Sequence, residues 1–170
     1  MKKNIILGID PGLNITGWGV IESFSNKEVY LSHGIIKTSG EKNLGIRLNL
    51  IFDNLSNIID EFSPKQIAVE KIFANKNPES TLKLGKARGI IFLVAAKKNI
   101  SVSEYSPNTI KKNLVGYGHA NKDQIVKMIE RVYPKVENLN DDSADALAVA
   151  TCHSMQNQSK ITEIFKINDN

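Results

Sequence analysis

Ile5-Ile6-Leu7-Gly8-Ile9-Asp10-Pro11-Gly12 decides how the rest of the chain is read. The apolar run before Asp10 has the pattern of a buried strand, and Pro-Gly straight after it has the pattern of a turn. Asp10 is the odd residue. A carboxylate closing a buried strand is costly unless a cation or hydrogen-bond donors meet it. What meets Asp10 is the question the remaining sequence must answer, and the answer it offers is a divalent metal shared with other carboxylates.

Outward from this turn, Thr16 to Ile21 and Val29 to Thr38 read as two further strands. Short turns between strands imply antiparallel pairing, so the first three strands form a meander. Gly17 and Gly19 lie two apart, on one face of their strand, and leave it bare. Either a backbone or ligand comes close there, or the glycines pack against the neighbours of Trp18. Leu44, Leu48, Ile51, Leu55, Ile58 and Phe62 step by four and three, the stripe of a core-facing helix that ends at Ser63-Pro64. Gln66 to Glu70 is a short apolar strand that again closes on a carboxylate. Phe73 to Pro78 is a polar loop carrying one aromatic ring, which either caps the core or stacks on a base.

Glu79 to Lys98 predicts a long helix and Ile100 to Tyr105 a fifth strand. Ser106-Pro107 predicts an N-cap and first helical residue for a short helix bearing Lys111 and Lys112. After Gly116-Tyr117-Gly118-His119, Asn121 can cap a further helix that Pro134 closes. Asn140 or Asp141 opens the last helix. A meander followed by helix–strand alternation predicts an α/β fold: a mixed sheet of five strands, the first three antiparallel, flanked by helices.

Bulk properties bound the function. The 170 residues suit one domain with a real core, and no apolar run approaches the ~20 residues of a membrane span. Met1-Lys2-Lys3-Asn4 leads into only five apolar residues, too few for a signal peptide, so a cytoplasmic protein is expected. The single cysteine, Cys152, excludes an internal disulfide and a multi-cysteine zinc site. A net charge of +4 is compatible with a nucleic-acid partner without requiring one.

Asp10, Glu70, Asp142 and Asp145 stand out by context. If the strands ending in Asp10 and Glu70 are adjacent and parallel, their carboxylates emerge side by side where α/β sheets bind ligands. Asp142 and Asp145 are three apart at the start of a helix and share a face, and Ala146 to Ala150 would press that helix onto the sheet. Singly, each has a plainer reading: Asp142 as a charge on the helix macrodipole, Asp145 as a surface acid, Glu70 as a partner of Lys71. Together they make sense around cations. An all-oxygen field favours Mg²⁺ or Mn²⁺ over zinc, and two such ions suit in-line displacement at phosphorus. Lys111 and Lys122, taken alone, read as solvated helix positions.

The motifs resemble the RuvC family of Holliday junction resolvases, within the ribonuclease H-like superfamily. Gly8-Ile9-Asp10-Pro11-Gly12 with Thr16-Gly17-Trp18-Gly19 is similar to the family's opening motif, and Ala68-Val69-Glu70-Lys71-Ile72-Phe73 to its second. Ser80 to Gly89 is similar to its long helix, and Asp142-Ser143-Ala144-Asp145-Ala146-Leu147-Ala148 to its final acidic helix. The resemblance implies a ribonuclease H-like nuclease domain over 1–157, with 158–170 as a polar tail. It implies that Asp10, Glu70, Asp142 and Asp145 are catalytic metal ligands, that Phe73 stacks at the junction, and that Lys111 and Lys122 engage DNA. It further implies Mg²⁺-dependent paired nicks across a four-way junction by a homodimer, in partnership with RuvA and RuvB, during recombination and repair. Asn14 and Pro78 depart from the family pattern. Two other classes remain open at this point: a non-catalytic junction-binding scaffold, and a fragment of an actin-like ATPase.

Overall fold

Three strands, then alternating helices and strands, then three helices form the fold as the periodicities predict, in a computed structural model that describes residues 4–24, 27–72 and 78–168, the last helix's side chains to 158. Strands β1 (Asn4–Asp10), β2 (Ile15–Phe24) and β3 (Lys27–Lys37) form the meander. Helix α1 (Leu44–Phe62) leads to β4 (Gln66–Glu70), and α2 (Pro78–Lys97) leads to β5 (Ser101–Tyr105). Helices α3 (Pro107–Val115), α4 (Lys122–Val132) and α5 (Asp141–Asn168) complete the chain. The sheet order is β3-β2-β1-β4-β5. β1 pairs antiparallel with β2 and parallel with β4, which pairs parallel with β5.

Strand alternation divides the core in two. Leu7, Ile9, Val20, Ile67 and Val69 point to one face and are buried under α1 and α2 by Ile51, Leu55, Ile91 and Val94. Ile6, Ile21 and Ala68 point to the other, under α3, α4 and α5. Gly8 and Asp10 continue the second set, as does Glu70 after Ala68. The carboxylates that close β1 and β4 therefore face the acidic helix, α5.

The helix boundaries have local causes. Asn43 caps α1 by accepting from the Ile46 amide at 3.1 Å, and Ser63, in left-handed backbone with φ of 49°, ends it. Ser106 caps α3, and Asn121 and Gln124 form a reciprocal capping box at α4. Asn140 settles the start of α5, its side chain accepting from the Ser143 amide at 3.0 Å. In α2 the buried stripe is Ala87, Ile91, Val94 and Ala95, whereas Leu82 sits on another side of the helix and is 67% exposed. Among the described residues no helix is long and apolar enough to cross a membrane.

Candidate active site

The site lies where β1 and β4 end and α5 begins. Ile9 pairs with Val69 across the parallel ladder, so Asp10 and Glu70 emerge next to one another, while Asp10 pairs with Gly17 on its antiparallel side. α5 lies against this corner on its own backbone. A Cβ built on Gly17 would stand 2.0 Å from the Asp142 carbonyl oxygen, and one on Gly8 would stand 2.1 Å from that of Ala146. At Gly19 it would meet Leu147 Cγ at 2.6 Å. The bare face of β2 is thus bare for a helix, which decides between the readings its glycines left open. Residues 142 and 146 share one ridge of α5, so seating that ridge on Gly17 and Gly8 brings Asp142 and Asp145 to the strand ends.

Two lysines complete the surroundings. Lys111 on α3 and Lys122 at the start of α4 line a pocket of about 170 Å³ with Glu70, Asp145 and Ile110. Both border the carboxylates, Lys111 from a half-buried position and Lys122 from an exposed one.

The electrostatics join these groups. Burial pushes the Asp10 carboxyl well above the ordinary carboxylate range, and Glu70, Asp145 and Asp142 push it further, with Lys122 opposing. Glu70 is raised to about 7 by burial and by Asp145, against Lys111 and Lys122. Asp145 is raised by burial and, against the pull of Lys122, by Asp142. The lysines therefore offset only part of the cost of gathering these carboxylates.

The donor set fits a hard divalent cation: it is all carboxylate oxygen, and burial together with neighbouring acids leaves Asp10 and Glu70 favouring a bound positive charge. Among the described residues no group of three or more His, Cys, Asp or Glu side chains is arranged to hold an ion as it stands. Phe73 lies outside the described residues.

Two features had no assigned role in the sequence. His153, 2% exposed in α5, bonds through Nδ1 to the Tyr105 hydroxyl at 2.8 Å, which ties α5 to β5 beside Glu70. Arg47 reaches from α1 to the turn after Asp10, donating to the Leu13 carbonyl at 2.7 Å. His153 resembles the family's residue there without disclosing a role, and Arg47 had no signal, since a lone arginine in an amphipathic helix is commonplace.

A family model described as crossover junction endodeoxyribonuclease RuvC matches residues 6–153. Among curated relatives, the crossover junction endodeoxyribonuclease RuvC of Rhizobium etli is 46% identical over 149 residues, covering 88% of each chain. That of Brucella ovis is 43% identical over 163 residues, covering 95% of this chain and 94% of its own. Among solved structures, T. thermophilus RuvC in complex with Holliday junction substrate superposes with a TM-score of 0.86 at 29% identity, covering 92% of this chain and 96% of the other. The yeast mitochondrial Holliday junction resolvase Ydc2 shares the fold, with a TM-score of 0.66 at 15% identity, covering 97% of this chain and 86% of its own.

Proposed function

We propose a division of labour among the site residues from one premise: this chain belongs to the RuvC family and is a crossover junction endodeoxyribonuclease that resolves Holliday junctions in recombination and repair. The actin-like ATPase reading falls with that membership, and the ribonuclease H-like fold is the family's own. The finer assignments are these.

Asp10, Glu70, Asp142 and Asp145 hold the catalytic metal. One observation carries this: carboxylates from three separate segments converge at the strand ends, where Asp10 pairs in register beside Gly17 under the first turn of α5 and burial with neighbouring acids raises Asp10, Glu70 and Asp145. Two Mg²⁺ ions, with Mn²⁺ as a substitute, would supply Lewis acidity for water activation and for charge at the leaving oxygen. The chain's own part is geometry. β1 and β4 fix Asp10 and Glu70 as neighbours, and the glycine-seated α5 fixes the height of Asp142 and Asp145 above them. Lys111 and Lys122 supply the cationic side of the pocket, where a scissile phosphate would be drawn against the carboxylates. Cleavage would leave 5′-phosphate and 3′-hydroxyl ends.

Phe73, three residues beyond Glu70 in sequence, stacks on a base at the junction. A homodimer presents two such sites for paired nicks, and RuvA with RuvB supplies the junction. The chain acts in the cytoplasm as one nuclease domain over 1–157, with 158–170 outside it.

The test is a synthetic four-way junction and a linear duplex of the same sequence, incubated with protein and Mg²⁺, with Asp10→Asn as control. Symmetric paired nicks on the junction alone, absent in the control, are expected. Junction binding by Asp10→Asn should persist, because binding rests on cations at phosphate. Loss of binding together with cleavage would make Asp10 structural, and tight binding without cleavage under any divalent ion would favour a scaffold. Phe73→Ala should lower cleavage more than affinity.

A further inference from the structure

The turn that carries the chain away from Asp10 is held by side chains. Arg47, in the first turn of α1, donates from Nη2 to the Leu13 carbonyl at 2.7 Å and to the Asn14 side-chain oxygen. Its Nε donates to the Thr38 hydroxyl at 3.3 Å. That hydroxyl donates to the same Leu13 carbonyl, and the Thr38 amide donates to the Asn14 carbonyl at 2.9 Å. At the turn's near end the Thr16 hydroxyl donates to the Gly12 carbonyl at 2.6 Å. Arg47 is the member of this set that arrives from outside the meander.

Its acceptors are all neutral oxygens, and among the described residues no carboxylate pairs with it. The contact uses the shape of the guanidinium, a rigid fork with donors pointing in fixed directions, which an ammonium does not reproduce. Thr38 and Leu13 are buried, at 2% and 8% exposure, so the bonds to them are partly shielded from water, whereas the bond to Asn14 lies on the exposed side.

We propose that Arg47 is a positioning residue for this site: by fixing the 11–14 turn on α1 it sets the direction from which Asp10 presents its carboxylate. The inference rests on the reading of Asp10 as a metal-holding group. A rival role exists on the same residue, because Arg47 and Lys83 also border a groove of about 420 Å³ beside the turn, where a DNA phosphate could sit. The groove is the weaker candidate, since Lys83 is paired with Glu79 at 2.6 Å.

Arg47→Lys and Arg47→Met separate the two roles, with Asp10→Asn run alongside. Single-turnover cleavage of a four-way junction at saturating protein should fall about 10- to 100-fold in both, since small misplacements at a reacting centre are that costly. Half-maximal cleavage should need more Mg²⁺, and Thr38 amide exchange should quicken in metal-free protein. Junction affinity in EDTA should stay within about twofold, because no phosphate contact is lost. Wild-type cleavage by Arg47→Lys would overturn the proposal. So would an unchanged saturated rate with weakened, less salt-dependent binding, the signature of a phosphate contact. Should Arg47→Met fail to fold, Asn14→Ala removes one acceptor from the exposed side of the turn, and an unchanged rate and Mg²⁺ requirement there would also overturn it. Full cleavage by Asp10→Asn would instead remove the site reading, while Thr38 exchange still reports whether Arg47 holds the turn.

Discussion

Gly17 and Asp142 touch through their backbones: a Cβ on the glycine would lie 2.0 Å from the aspartate's carbonyl oxygen. The distance is far inside van der Waals contact, and the atom in the way is helix backbone, which cannot rotate aside. Gly17→Ala must lift the first turn of α5 off β2. Stability should fall by about 1–3 kcal/mol, the usual cost of forcing a methyl into a packed interior. Junction cleavage should fall more steeply than that, because Asp142 and Asp145 leave with the turn. Urea denaturation paired with single-turnover cleavage reads both; wild-type values in each would mean that α5 does not sit on β2 as described.

Stability without metal should depend on pH in an unusual direction. Glu70 carries a carboxyl raised from an ordinary 4.5 to about 7, and Asp10 and Asp145 are raised with it. Between those values the folded chain keeps protons that the unfolded chain has released, so stability falls as pH rises through this window and stays low above it. Glu70 alone would account for about 3 kcal/mol. Melting temperatures in EDTA should therefore drop from pH 5 to pH 8, and added Mg²⁺ should stabilise more at pH 8 than at pH 5. A metal-free melting temperature flat across that window would count against a buried, uncompensated carboxylate cluster.

The strand-end carboxylates were legible because a short apolar strand offers an acid nowhere to hide. Asp10 and Glu70 each interrupt such a run, and the parallel pairing of β1 with β4 brings them together as expected. The meander, the capped helices and the shared face of Asp142 and Asp145 are also local, set by periodicity and cap chemistry. What was not legible is contact between distant segments. Gly17 and Gly19 leave a face bare, but only the fold shows that α5 fills it. Lys111 and Lys122 carry the same local signal as any surface lysine, and their convergence on Glu70 depends on how α3 and α4 pack. Arg47 is the extreme case, since its partners lie 9 to 34 residues away and none is charged.

Lys122 opposes the raised pKa of Asp10, Glu70 and Asp145 alike, so its removal should be felt by the whole cluster. Lys122→Gln should move the acidic limb of the cleavage pH profile to higher pH, because the carboxylates would then ionise later. The salt dependence of junction binding should fall by about one counterion, as for the loss of any phosphate-contacting cation. Lys122→Arg should keep the salt slope. A pH profile and salt slope both unchanged in Lys122→Gln would return the residue to an ordinary solvated position.

Asp10→Asn should make the metal-free protein more stable while abolishing cleavage. Asp10 is held in a partly buried corner with three other carboxylates facing it, and among the described residues none donates a hydrogen bond to its side chain. Replacing the charge by an amide of nearly the same shape removes the repulsion and the desolvation cost together, so a gain of about 1–3 kcal/mol above pH 7 is expected. The gain should vanish near pH 4, where wild-type Asp10 is itself protonated, and it should reverse in saturating Mg²⁺, where the wild-type carboxylate has a cation and the amide does not. Thermal melts of both proteins at these pH values, with and without Mg²⁺, provide the comparison. Destabilisation of Asp10→Asn in EDTA above pH 7 would mean that the carboxylate has a structural partner, and the assignment of Asp10 to metal would have to be withdrawn.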